Sequence, residues 1–353
     1  MDRANIKIMV VNDKLELRAI IRDYLRNDGY TNLSVSENGL SALRKIAAEP
    51  PDLIIADYNL PGLGGLDLLK AVRRDNSLKD IPFILISSET ERQYVAQAAE
   101  LGVSAFVVKP FTYQTLADKV ERLMQYKLNP PESHLYYQEA NRLSQAGSLE
   151  TALERYRQAL ASAQGTMAAI HYKVGQVHEQ LNLEEDAVTD YFQAVGLSDL
   201  YVPAYDALGR LKLRREGPEA ALEYLKRSTE ISPLNALRQL RLAEALLETG
   251  HFEEAEKAFK HALELDPTQT HLFNRIGIAL RRQGKQEEAA VYFLKAIEAT
   301  PEDENLYYNL SRVYLDQKKK DLALTYLNKA LELNPDFTEA RELIERMRST
   351  PAS

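Results

Sequence analysis

Asp13, Asp57, Ser87 and Lys109 are the residues of this chain whose types and spacing could do chemistry together. Each closes a short apolar run. Ile8-Met9-Val10-Val11 leads into Asn12-Asp13, Leu53-Ile54-Ile55-Ala56 into Asp57, Phe83-Ile84-Leu85-Ile86 into Ser87, and Ala105-Phe106-Val107-Val108 into Lys109-Pro110. Apolar runs without a period are how strands buried on both faces of a parallel sheet read. In an open α/β sheet, ligands and reactions gather at the carboxyl ends of the strands. Singly, each residue has a plain structural reading: Asp57 as a helix cap, Ser87 as a strand-end hydroxyl, Lys109 as a solvated lysine before a proline turn. Together they put carboxylates, a hydroxyl and an ammonium at four strand ends.

The elements that must position them alternate along the chain. Strands are expected over 6–11, 33–35, a third run ending at Asp57, a fourth ending at Ser87 and a fifth ending at Val108. Helices are expected over Lys14–Asn27, Leu40–Ala48, Leu66–Arg74, Glu91–Leu101 and Tyr113–Tyr126. The first carries Leu17, Ile20, Ile21 and Leu25 on one face, and Gly29 and Gly102 are helix stops. Five strands alternating with five helices imply a doubly wound parallel sheet of flavodoxin-like order. Right-handed crossovers then bring the ends of strands one, three, four and five together.

This pattern resembles the receiver domain of bacterial response regulators, closest to the single-domain chemotaxis type, over roughly residues 4–127. The resemblance implies that Asp57 accepts a phosphoryl group from the phosphohistidine of a partner histidine kinase. It implies Mg²⁺ as cofactor, ligated by Asp13, Asp57 and the backbone carbonyl of Asn59, an oxygen-only set of the kind this ion takes. Ser87 is then the hydroxyl that binds a phosphoryl oxygen, Lys109 neutralises another, and the Lys109-Pro110 bond is cis. Two positions depart from the family pattern. Asn12 stands where an acid usually holds Mg²⁺ through water, and Phe106 replaces the switch tyrosine.

Beyond a proline-bearing junction at 128–132, the chain repeats. Ala152, Ala187, Ala221, Ala255, Ala289 and Ala323 recur at spacings of 35, 34, 34, 34 and 34. Ala140, Gly175, Gly209, Ala243, Gly277 and Ser311 hold a second small position, and Ala159, Ala194, Ser228, Ala262, Ala296 and Ala330 a third. Tyr156, Tyr191, Phe259 and Phe293 are the large partners that fill the gaps. This resembles the tetratricopeptide repeat, whose period is about 34 residues. Six units follow, at 133–166, 168–201, 202–235, 236–269, 270–303 and 304–337, and then a capping helix over 338–348 and a tail to 353. Proline closes the last four; Gln164 and Asp199 stand in its place in the first two. Such stacks imply a concave groove for a protein or peptide, lined from the first helix of each pair by Asn141, Arg210, Arg241, Asn274, Arg275, Asn309 and Arg312. Arg and Asn suit carboxylate and backbone recognition; a merely solvated face is the alternative.

Composition narrows the function classes. The 353 residues are 45% hydrophobic and 27% charged, with no cysteine. That is globular composition without disulfides or thiolate metal sites. No apolar run nears the ~20 residues of a membrane helix, and Met1-Asp2-Arg3 opens no signal peptide, so a cytoplasmic protein is expected. Residues 1–131 balance acid against base, so the formal charge of −8 lies wholly in residues 132–353. An acidic output half argues against nucleic acid. The six histidines are scattered across the repeats, and no nucleophile–base constellation emerges there. Three readings stay open: a regulator phosphorylated on Asp57 with a protein-binding output, a constitutive scaffold with a weakened receiver, and a phosphate sink for a shared kinase.

Overall fold

The computed structural model describes residues 3–88, 92–162 and 167–349. Five strands, β1 (Ile8–Val11), β2 (Leu33–Ser36), β3 (Leu53–Asp57), β4 (Phe83–Ser87) and β5 (Ala105–Val108), form one parallel sheet in the order β2-β1-β3-β4-β5. Between and after them lie α1 (Leu15–Asn27), α2 (Gly39–Ala48), α3 (Gly65–Arg74), α4 (Arg92–Glu100) and α5 (Tyr113–Leu128). This is the flavodoxin-like architecture expected, with helices on both faces of the sheet. The expected fourth helix began at Glu91, which lies outside the described residues, as do Gln164 and the tail from residue 350.

Two apolar layers clamp the sheet. Met9, Val11, Ile54, Ala56, Phe83 and Leu85 face α2 and α3. Ile8, Val10, Leu53, Ile55, Ile84 and Ile86 face α1 and α5. Alternate residues of β1, β3 and β4 serve opposite layers, so these strands are apolar throughout. Local chemistry sets the helix ends. Asn38 accepts a hydrogen bond from the Ser41 amide to start α2, and Thr112 accepts one from the Thr115 amide to start α5. Gly29 and Gly102 follow α1 and α4 at φ +86° and +78°. One expectation fails on α1: Ile20 is exposed. The buried stripe runs through Leu17, Ile21 and Leu25 with Tyr24 beside it, and Ile20 lies about 100° round the helix from Ile21, off that stripe.

The chain forms two compact units, Met1–Ala204 and Tyr205–Ser353. The first holds the α/β sheet and two helical pairs, α6 (Glu132–Gln145) with α7 (Leu149–Ser162) and α8 (Met167–Gln180) with α9 (Glu184–Leu197). The remaining helices are α10 (Val202–Glu216), α11 (Pro218–Ile231), α12 (Ala236–Glu248), α13 (Phe252–Leu265), α14 (Leu272–Arg282), α15 (Gln286–Ala299), α16 (Glu304–Asp316), α17 (Lys320–Leu333) and α18 (Thr338–Ser349). Every small residue of the periodic set is buried. A Cβ built on Gly175 would lie 2.6 Å from the Tyr191 ring, and one on Gly277 2.9 Å from the Phe293 ring. Small residues let the paired helices approach, and the buried rings of Tyr156, Tyr191, Phe259 and Phe293 fill the space opposite. The result is an all-α solenoid that follows the α/β sheet in the chain.

Candidate functional site

The pocket begins with register. In-register pairing of β3 with β4 sets Asp57 opposite Ile86, and pairing of β4 with β5 sets Ser87 opposite Val108. The Lys109 amide then donates to the Ser87 carbonyl at 2.7 Å, and the Tyr58 amide to the Ile86 carbonyl at 2.7 Å. The chain thus leaves three adjacent strands while still tied to the sheet.

Asp57 is 2% exposed, and a buried carboxylate must be paired or hydrogen-bonded. Three donors meet it. Its Oδ2 accepts from Lys109 Nζ and from Asn12 Nδ2, and its Oδ1 from the Asn59 amide at 3.1 Å. The Asn12 amide is oriented by its other end, because its Oδ1 accepts the Lys14 amide at 2.8 Å. Asn12 is therefore a direct partner of Asp57, not a distant member of the site. Asp13, next in the chain, is exposed. Ser87 is fully buried beside them. The Lys109-Pro110 bond is cis, as expected. Phe106 is half-buried on β5, opposite Leu85 and packed on the α2/α3 layer.

Two contributors were not found by sequence reasoning. Arg18, in the first turns of α1, donates to the carbonyls of Asn12 and, at 3.1 Å, Asp13, clamping the loop that carries both. Gly65 opens α3, and a Cβ there would stand 2.1 Å from the carbonyl oxygen of Asp57. A glycine right after a loop that turns back on a strand end was the available signal.

The donor set suits Mg²⁺. The carboxylates of Asp57 and of the exposed Asp13, with the Asn59 carbonyl, would offer the hard oxygens this ion prefers. Among the described residues no group of three or more His, Cys, Asp or Glu is placed to hold a metal, so an ion held by Asp13 and Asp57 would complete its shell with carbonyl and water oxygens. Replacing Asn12 by Asp exchanges a donor on Asp57 for a like charge, which disfavours the ion-free pocket and favours a cation. Asn12→Asp is expected to bind Mg²⁺ about tenfold more tightly, roughly 1.4 kcal/mol, and to melt lower without the ion. Titration calorimetry of both proteins checks this; equal or weaker affinity in the variant would refute the account.

The expected groove residues are scattered through both units. Asn141 accepts the Tyr156 hydroxyl at 2.7 Å and so has a packing role. In the second unit, Asn309 donates to Asn274 at 3.1 Å across successive first helices. Arg275 lies 3.9 Å from Glu244, and Arg312 stacks over the Tyr308 ring at 5.6 Å. Burial and the neighbouring Arg281 and Arg282 lower the Arg312 pKa. Arg241 is half-buried and Arg210 exposed.

A parallel sheet of this order, with a carboxylate, hydroxyl and lysine at its carboxyl edge, defines a receiver module, and the helical pairs that follow it in the chain a tetratricopeptide array. The chain belongs to the response regulator receiver family, whose pattern matches residues 8–121. Tetratricopeptide repeat patterns match residues 137–199, 213–274, 270–303 and 304–337. Among curated relatives, the chemotaxis protein CheY of Pseudomonas aeruginosa is 39% identical over 120 residues, 34% of this chain and 97% of that protein. Chemotaxis protein CheY-3 of Vibrio cholerae is 37% identical over 121 residues, again 34% of this chain and 93% of the relative. Among solved structures, the tetratricopeptide protein YrrB, described as having an unusual peptide-binding site, aligns with a TM-score of 0.50. It is 21% identical and covers 54% of this chain and 97% of its own, which speaks to fold alone. The protein is a response regulator with a protein-binding repeat region, and no helix among the described residues is long and apolar enough to cross a membrane.

Proposed function

We propose that this chain is a phosphorylation-controlled adaptor: a histidine kinase phosphorylates Asp57, and the output is protein binding by the repeats rather than DNA binding. The carrying observation is the convergence of Lys109, Asn12 and the Asn59 amide on the buried Asp57 carboxylate, with Ser87 beside it. An Asp57 oxygen attacks the phosphorus of phosphohistidine, and the O–P bond forms as the N–P bond breaks toward the imidazole. Lys109 offsets charge on the transferred group, and Ser87 offers a hydroxyl to one of its oxygens. Asp13, Asp57 and the Asn59 carbonyl would hold Mg²⁺, which when bound would supply positive charge beside the phosphoryl oxygens.

Boundaries at 1–127 for the receiver, 128–132 for the junction and 133–337 for the repeats fit this division of labour. The junction is short: α5 ends at Leu128 and α6 begins at Glu132. Tyr126 of α5 meets His134 of α6 edge-on, with ring centroids 4.7 Å apart, and His134 in turn stacks on Tyr137. A movement of β5 and α5 on phosphorylation would reach the first repeat through these rings. The constitutive-scaffold reading has one observation in its favour, the Asn12 amide that already satisfies Asp57.

Beryllofluoride with Mg²⁺ is expected to change amide exchange in α5 and also in residues 133–162. Protection changes confined to residues 3–128 would favour the scaffold instead.

A further inference from the structure

Within the first unit, a cleft of about 480 Å³ opens between the receiver and the first two repeats. One wall is the corner between α3 and β4, which contributes Lys79 and Asp80. The other is the face of α6 bearing Gln138, Asn141, Arg142 and Gln145, with Lys173 of α8 beside it. The α6 residues recur at i, i+3, i+4 and i+7, one side of a helix. The receiver corner is held in place: Arg73 donates to the carbonyls of Lys79 at 2.8 Å, Ile81 at 2.9 Å and Gly102 at 2.8 Å. The wall is therefore preformed.

Three cations face one carboxylate in this cleft, against the acidic balance of the repeats as a whole. Asp80 is not theirs alone, since its field also acts on the Arg73 guanidinium and the His134 imidazole. Lys173 is half-buried, its pKa lowered by that burial. Its hydrogen bond goes to the Gln176 carboxamide at 2.9 Å, and it lies 5.8 Å from the Tyr172 ring centroid. Among the described residues no carboxylate pairs with it. Partly desolvating a cation without a counter-charge costs stability, and an incoming carboxylate would offset that cost. The three carboxamides can donate to carboxylates and accept from backbone amides. The volume lies within the range of small-ligand pockets and takes a few side chains.

Resting on the reading of the repeats as a protein-binding array, we infer that this cleft holds an acidic segment of the partner protein, and that the receiver itself supplies one wall of the recognition site. The partner then touches both modules at once. Any ligand whose affinity differs between two receiver arrangements shifts the balance between them, so the shared wall gives phosphorylation a direct hold on binding.

The test uses the full chain and an array of fluorescein-labelled decapeptides rich in Glu and Asp, each with a Gln/Asn counterpart, read by anisotropy. Acidic peptides are expected to bind and to lose about tenfold in affinity on amide replacement, the scale of a lost charged hydrogen bond. The double variant Arg142→Gln/Lys173→Gln should lose at least as much, and Lys79→Gln about threefold. All three positions are at least partly exposed, so the fold is retained, and melting curves verify this. If peptides bind but respond only to Arg275→Gln/Arg312→Gln, or if neutral counterparts bind equally well, the cleft is not the site while the groove reading stands. If no peptide of the array binds, both readings fall.

Discussion

Asp57→Asn is expected to abolish phosphoryl incorporation from a small-molecule donor and to erase the thermal shift caused by beryllofluoride. The carboxamide keeps the shape of the side chain but has no anionic oxygen to attack phosphorus. In the unmutated protein, reagent at a hundred times its dissociation constant should stabilise the native state by about 2.7 kcal/mol. For a unit of this size that is roughly 5–10 °C in melting temperature. The variant should melt within a few degrees of the parent when no reagent is present. Removing the carboxylate forfeits its pairing with Lys109, but it also ends the desolvation of a charge that is 2% exposed, and these terms oppose each other. Lys109 is less deeply buried, its side chain 24% exposed, so its ammonium can turn to water. Incorporation that persisted in Asp57→Asn would place the acceptor elsewhere.

Gly65→Ala should be nearly as damaging, though it touches no reacting atom. Two effects compete. Alanine favours a helix over glycine by about 1 kcal/mol, which alone would stabilise α3. The new Cβ, however, would sit 2.1 Å from the Asp57 carbonyl oxygen and 3.0 Å from Tyr58 Cα. Both are backbone atoms that no rotamer change can move aside. Overpacking of that kind costs about 1–3 kcal/mol or more, and relief requires α3 to move off the end of β3. Steric cost wins. The expected net loss is about 2 kcal/mol, with a weakened beryllofluoride response because the acceptor strand end is displaced. Thermal melts with and without reagent measure both effects. A variant as stable as the parent and fully responsive would show that the close approach is not needed.

What the sequence could determine was whatever is written locally and repeated. Non-periodic apolar runs identified the strands, because a strand covered on both faces leaves no position for a polar residue. The 34-residue recurrence of alanine and glycine identified the repeats, because close helix packing admits only small side chains at those points. Strand ends carrying Asp13, Asp57, Ser87 and Lys109 were legible for the same reason: a polar residue stops an apolar run.

Tertiary structure alone decided which of these residues touch. Asn12 looked like a lost acid at the margin of the site, yet its amide lies directly on Asp57, because the Lys14 amide fixes its orientation. Arg18 and Gly65 act through backbone carbonyls that folding brings near, and no side-chain pattern encodes a partner of that kind. Ile20 showed the limit of periodicity, which gives a stripe a few residues wide but not where its edge falls. The cleft between Lys79 and Lys173 joins residues far apart in sequence. It opens where the corner before β4 and one face of α6 line the same space, and such a juxtaposition of two modules leaves no period in either one.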